Sequence, residues 1–232
     1  MPGLGMPSYA VPVTTELGRR SVPAALLDLP GFGTRGRRTV APDVGAIGDV
    51  AAQWVLARCT GAPVLVAGHS TGGNAALTAG LALQSLGLEV SVLLVGPVFT
   101  PAQRRLPALL AAAALAYRRD SPRQLADGAG DLARGRTDVL RVVRSGLRDP
   151  VERRIARLEV PLVVVAGRSD SLAPRAWLQR LAESAERAPS VGVHSVRGSH
   201  NMPFTYPRDL ADVVSAELHR LAEARQVHRD VG

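Results

Sequence analysis

Apolar residues follow two alternating rhythms along this chain. Five short runs are almost continuously apolar and bounded by glycine or proline: Val22 to Leu27, Val64 to Ala67, Val90 to Val95, Leu162 to Ala166, and Val191 to Val196. Strands read this way when helices cover both faces of a parallel sheet. Between most of the runs the apolar positions open out to helical spacing, over Val44 to Arg58, Thr71 to Leu86, Pro174 to Ala188 and about Pro207 to Arg225. Alternating strand and helix predicts an α/β fold, a parallel sheet with helices on both faces. No internal repeat is visible.

One stretch breaks the alternation. Gly96 to Glu159 is far longer than an ordinary connection between a strand and the next helix. It is rich in Ala, Leu and Arg, and Gly128, Gly130, Gly135 and Gly146 read as helix stops. An insertion at the C-terminal edge of a parallel sheet lies over the ligand crevice, so a helical lid is expected. The chain then divides into residues 1–95 and 160–232, two parts of one core, with 96–159 as the lid.

A length of 232 residues and 46% hydrophobic content suit one globular domain with a sizeable core. The net charge of +8 comes entirely from arginine, since the chain has no lysine. Nucleic-acid binding is the partner that such a charge invites. The arginines are scattered, however, aromatic residues are only 3%, and no recognition motif appears, so no nucleic-acid partner is expected. Cys59 is the only cysteine, which excludes an intrachain disulfide and marks it as a packing residue. The opening MPGLGMPSYA has no basic stretch followed by an apolar core, and the longest apolar run, Leu106 to Tyr117, is too short to span a bilayer. The expectation is a soluble cytoplasmic protein acting on a small molecule.

The chemistry concentrates at VLVAGHSTGGNAAL, where Ser70 sits between Gly68 and Gly72 at the joint of a strand and a helix. A serine in so sharp a turn is held in a strained conformation with its hydroxyl pushed outward. The motif is weak alone, but strand before and helix after are the context it requires. A serine hydroxyl needs a base, usually a histidine held by a carboxylate. Of five histidines, His69 lies inside the turn, His194 in the last strand, and His219 and His228 near the C-terminus. His200, in RGSHNMPF, follows the last strand on the edge where ligands bind. Asp170, in VVVAGRSDSLAP, follows the preceding strand on the same edge, between serine and histidine in chain order.

With LLDLPGFGTRGRR, VAGHSTGG, VVVAGRSDSLAP and GSHNMPFTYP in hand, the chain resembles the α/β-hydrolase fold serine hydrolases of the lid-bearing esterase and peptidase type, over residues 2 to about 222. The resemblance implies Ser70 as nucleophile, His200 as base and Asp170 as acid, with Asp28 structural. It implies oxyanion-binding N–H groups at Thr71 and at Leu4, in a Pro2-Gly3-Leu4 stretch where the family usually has histidine first. Met202 and Phe204 are candidates to line the substrate pocket. It implies hydrolysis of a carboxylic ester or related acyl bond, with no metal or organic cofactor. Acyl transfer with the same three residues is one rival; an inactive fragment or a binding protein that keeps them is another. The family's sheet has three strands before the Pro2-Gly3-Leu4 position, so the resemblance also implies a sheet without them.

Overall fold

The computed structural model describes residues 1–29, 40–59, 61–118 and 129–231, apart from 131, 132, 134 and 136. Its centre is a parallel sheet of four strands in the order β1-β2-β3-β4: Val64–His69, Val90–Val95, Leu162–Gly167 and Val191–Val196. Pairing is in register from Val64 opposite Val90 to His69 opposite Val95, and from Leu162 opposite Val191 to Gly167 opposite Val196.

Side chains of successive strand residues point to opposite faces; both faces are buried at β2 and β3, while β4 leaves Val191, Val193 and Ser195 exposed on one face. On one face Val66, Val92, Leu94, Val164 and Ala166 pack with α2 (Val44–Arg58), α3 (Thr71–Ser85) and α7 (Arg175–Glu183). On the other, Leu93, Val95, Val163 and Val165 pack with α1 (Val11–Arg19) and α9 (Pro207–Val231). Cys59 packs against the first of these clusters, as expected of it.

The face under α9 contains a fully buried polar residue. Ser91, fully buried on β2, donates to Oε1 of Glu217 at 2.7 Å and shares its hydroxyl with the Pro161 carbonyl. Glu217 is itself buried, with its other oxygen paired to Arg220. Ser91→Ala strips a hydrogen bond from a buried carboxylate and is expected to cost about 1–3 kcal/mol of stability. The urea midpoint measures it, and a midpoint equal to wild type would contradict the assignment.

Two features depart from the sequence reading, and one helix lies where it assigned no element. Val22 to Leu27 forms no strand. The edge of β1 that it would approach is occupied by Met1, whose amino nitrogen donates to the Ala67 carbonyl at 2.7 Å and whose carbonyl accepts from His69 N at 3.0 Å. Among the described residues no further strand lies beyond β1. Val11–Arg19 is helical although its sequence, VPVTTELGR, is rich in β-branched residues; burial of Val13 and Leu17 outweighs that weak preference. Gly146 does not stop a helix: it lies within α5 (Thr137–Leu147), where a side chain would strike the Phe99 ring. Gly130 and Gly135 are helical as well, while Gly128 and most of the stretch after Asp28 lie outside the described residues.

The insertion holds α4 (Leu106–Tyr117), α5 and α6 (Val151–Ile155). Its far end is anchored on α3, where Arg154 pairs with Asp149 at 2.6 Å and donates to Thr78, and Asn74 donates to Asp149. No helix among the described residues is long and apolar enough to cross a membrane.

Candidate active site

β1 ends at His69 and α3 begins at Thr71, leaving Ser70 alone to make the turn. Ser70 has φ 56° and ψ −126°, a conformation that costs a residue with a β-carbon of order 1–3 kcal/mol. The surroundings impose it: Ser70 N donates to Val95 O at 2.9 Å, and Ser70 O accepts from Gly73 N at 2.9 Å. The two glycines of the motif are needed for close approach. A side chain on Gly68 would overlap the Gly72 carbonyl, and one on Gly72 would lie 2.5 Å from the Met1 carbonyl oxygen.

Asp170 and His200 leave the C-terminal ends of β3 and β4 and meet beside this turn. His200 Nδ1 and Asp170 Oδ2 are 2.9 Å apart, and both side chains are fully buried. Asp170 Oδ1 accepts from Leu172 N at 2.9 Å and Ala173 N at 3.1 Å. Burial alone would raise the Asp170 pKa; the His200 ring and the two backbone donors outweigh it and hold the carboxyl below its ordinary 3.8. A carboxylate accepts only, so Nδ1 carries the ring proton. His200 Nε2 is buried with no hydrogen-bond partner among the described residues, so it makes no hydrogen bond to Ser70 Oγ. Gly96 lies against the pair: at φ 53° it turns just after β2, and a side chain there would come within 3.2 Å of the ring and 3.3 Å of Asp170 Oδ2.

The insertion covers this arrangement. Ser171, next to Asp170, donates to the Ala112 carbonyl at 2.8 Å, and Ser199, next to His200, donates to the Ala116 carbonyl. Tyr117, at the end of α4, presents its ring edge-on to His200 with centroids 5.8 Å apart. Ser70 is only 8% exposed and His200 is not exposed at all. Two cavities of about 190 and 150 Å³ lie near the sheet's C-terminal edge, and neither is lined by Ser70. The site is closed.

The sequence of residues 1–213 matches the alpha/beta hydrolase family. The chain belongs to that family. No curated protein matches this α/β hydrolase in sequence. Solved structures do. A lipase-esterase related protein from Clostridium acetobutylicum is 13% identical, with a TM-score of 0.68 over 93% of this chain and 91% of that one. A membrane phospholipase A described as a bacterial virulence factor is 18% identical, with a TM-score of 0.68 over 95% and 77%. The RedJ thioesterase of the Streptomyces coelicolor prodiginine pathway is 18% identical, with a TM-score of 0.65 over 94% and 82%.

The remaining sequence-derived residues of this α/β hydrolase divide. Thr71 N–H stands at the first position of α3, where the helix itself offers no acceptor. Leu4 does reach the turn, in a left-handed conformation at φ 51°, but its N–H donates to Thr71 Oγ1 at 2.7 Å. Met202 is fully buried and packs with Val13, Leu17 and Leu210. Phe204 stacks edge-on against Tyr9 at 6.1 Å. His194 lies on β4 and His219 is exposed on α9, so neither joins the site. Sequence reasoning missed Gly96 and Tyr117, and it gave His69 no role. A glycine directly after a predicted strand was the one local signal for Gly96.

Proposed function

We propose that this α/β hydrolase is a serine hydrolase that cleaves a carboxylic ester, or a related acyl bond, of a small molecule through an acyl-enzyme. Ser70 Oγ attacks the carbonyl carbon while His200 Nε2 takes the hydroxyl proton. Asp170 holds the Nδ1 proton and stabilises the imidazolium that forms. The carbonyl oxygen becomes an oxyanion received by the N–H groups of Thr71 and Leu4. Thr71 Oγ1, which now accepts the Leu4 proton, turns aside as the oxyanion takes its place. The imidazolium then protonates the departing alcohol. Water, deprotonated by His200, attacks the acyl-enzyme and releases the carboxylic acid and free Ser70.

The observation that carries this reading is the buried Asp170–His200 pair, its Nε2 unpartnered, at the same edge of the sheet as a serine strained into a strand-to-helix turn. The printed names of the similar structures, an esterase-related protein, a phospholipase and a thioesterase, agree with an acyl bond as the target. A fluorophosphonate probe tests it. Wild type should label once, at Ser70, and hydrolyse some member of a panel of p-nitrophenyl esters of graded acyl length. Labelling elsewhere, or at Ser70→Ala, would refute it.

The roof is proposed to set acyl preference, and two adjacent leucines of α4 separate this from a merely external helix. Leu109 packs inward with Val98, Phe99 and Leu172, whereas Leu110 is 59% exposed. Leu109→Ala is expected to shift the preferred acyl length, and Leu110→Ala to leave it unchanged. Equal profiles for the two variants would mean that the insertion is no lid.

A further inference from the structure

His69 is the last residue of β1 and directly precedes Ser70. It fills the space between Gly3 and the loop that carries His200. Nε2 lies 2.9 Å from the main-chain carbonyl oxygen of His200, and Nδ1 lies 3.3 Å from the point where a β-carbon on Gly3 would sit. The His69 and His200 rings are 4.8 Å apart between centroids, tilted by 39°. A carbonyl can only accept, so Nε2 of His69 carries the proton and donates it.

The two histidines are therefore held in complementary ways. Asp170 fixes the His200 ring at Nδ1, and His69 fixes the same residue at its main chain. With both ends fixed, Nε2 of His200 has one direction left to face. The charged and titratable groups around His69 are His200 and Asp170 on their two loops and the Met1 amino group; burial, then the nearby His200 ring, depress the His69 pKa to about 3. His69 therefore stays neutral at neutral pH.

We propose that His69 is a positioning residue of this site, whose Nε2–H holds the main chain of His200 so that the ring faces Ser70; the role rests on the serine-hydrolase reading above. It acts through His200 and touches no reacting atom. A displacement of about 1 Å at a catalytic group can cost on the order of 100-fold in rate.

Two variants and one measurement on the wild-type protein test this. Phenylalanine keeps a ring and loses the donor, so His69→Phe is expected to lower kcat about 10- to 100-fold with KM held within about twofold. Glutamine carries an N–H at similar reach, so His69→Gln should recover most of the loss. Full activity in His69→Phe, or a glutamine variant no better than phenylalanine while both remain folded by circular dichroism, would overturn the proposal. Nitrogen-15 NMR of histidine-labelled wild type is independent of how the variants fold. It should show His69 as the Nε2–H tautomer, still neutral at about pH 5. An Nδ1–H tautomer would overturn the proposal whatever the kinetics. A wild type that neither labels at Ser70 nor turns over any ester would instead refute the hydrolase reading, and the NMR result would tell the two failures apart.

Discussion

Alanine in place of Ser70, or of His200, is expected to lower ester turnover by roughly four to six orders of magnitude in kcat. The size follows from how the step is built. A serine hydroxyl cannot attack at neutral pH without a base, and a base without the nucleophile has nothing to activate, so losing either loses nearly the whole effect. The double variant should be no slower than the worse single one. His194→Ala and His219→Ala should stay within a few-fold of wild type. Steady-state kinetics on the preferred p-nitrophenyl ester measures all five proteins. Substantial turnover by Ser70→Ala, or a loss in His194→Ala as large as that in His200→Ala, would remove the assignment.

Asp170→Asn is the second large effect, expected at about 10⁴-fold in kcat by analogy with the same replacement in a serine protease triad. Asparagine fits the space but can offer an N–H where the carboxylate accepted one, which favours the His200 tautomer with Nδ1 bare. That tautomer has its proton on Nε2 and cannot take one from Ser70. The replacement also carries a stability signature of known sign. Because the folded pKa of Asp170 is depressed, its ionised form stabilises the fold above the ordinary value of 3.8, and that contribution is lost as pH falls through the lower folded value. Wild type should exceed Asp170→Asn in urea midpoint at neutral pH, with the gap closing only in strong acid. A gap that widened on acidification would contradict the geometry, and kcat within tenfold of wild type would exclude Asp170 as the acid.

Much of this was visible in the chain because the deciding interactions were local. The runs at 90–95 and 162–167 are apolar on consecutive positions because both strands are buried on both faces, and periodicity reads that directly, whereas 191–196 shows Val191, Val193 and Ser195 to solvent on one face. The placement of Ser70, Asp170 and His200 at one edge was legible for a related reason: each follows its own strand, and a parallel sheet delivers all such positions to one edge. What stayed hidden depends on partners distant in sequence. Val22 to Leu27 has the composition of a strand, but pairing needs an edge, and Met1 holds the nearest one. Met202 looked like a pocket residue from its place beside His200; only the approach of α1 and α9 shows that it belongs to the core. His69 bonds to a carbonyl 131 residues away, which no local pattern records.

The two serine hydroxyls that grip α4 bear on anyone who would redesign this protein. Specificity in lidded folds is commonly altered by grafting in a different cover, on the assumption that cover and chemical machinery are separable modules. Here the carbonyls of Ala112 and Ala116 are anchor points for the loops that carry Asp170 and His200. A graft that fails to reproduce those two acceptors would change what is bound and how fast it reacts at once. Libraries aimed at new selectivity should hold residues 112 and 116 in helical backbone and vary the stretch around them.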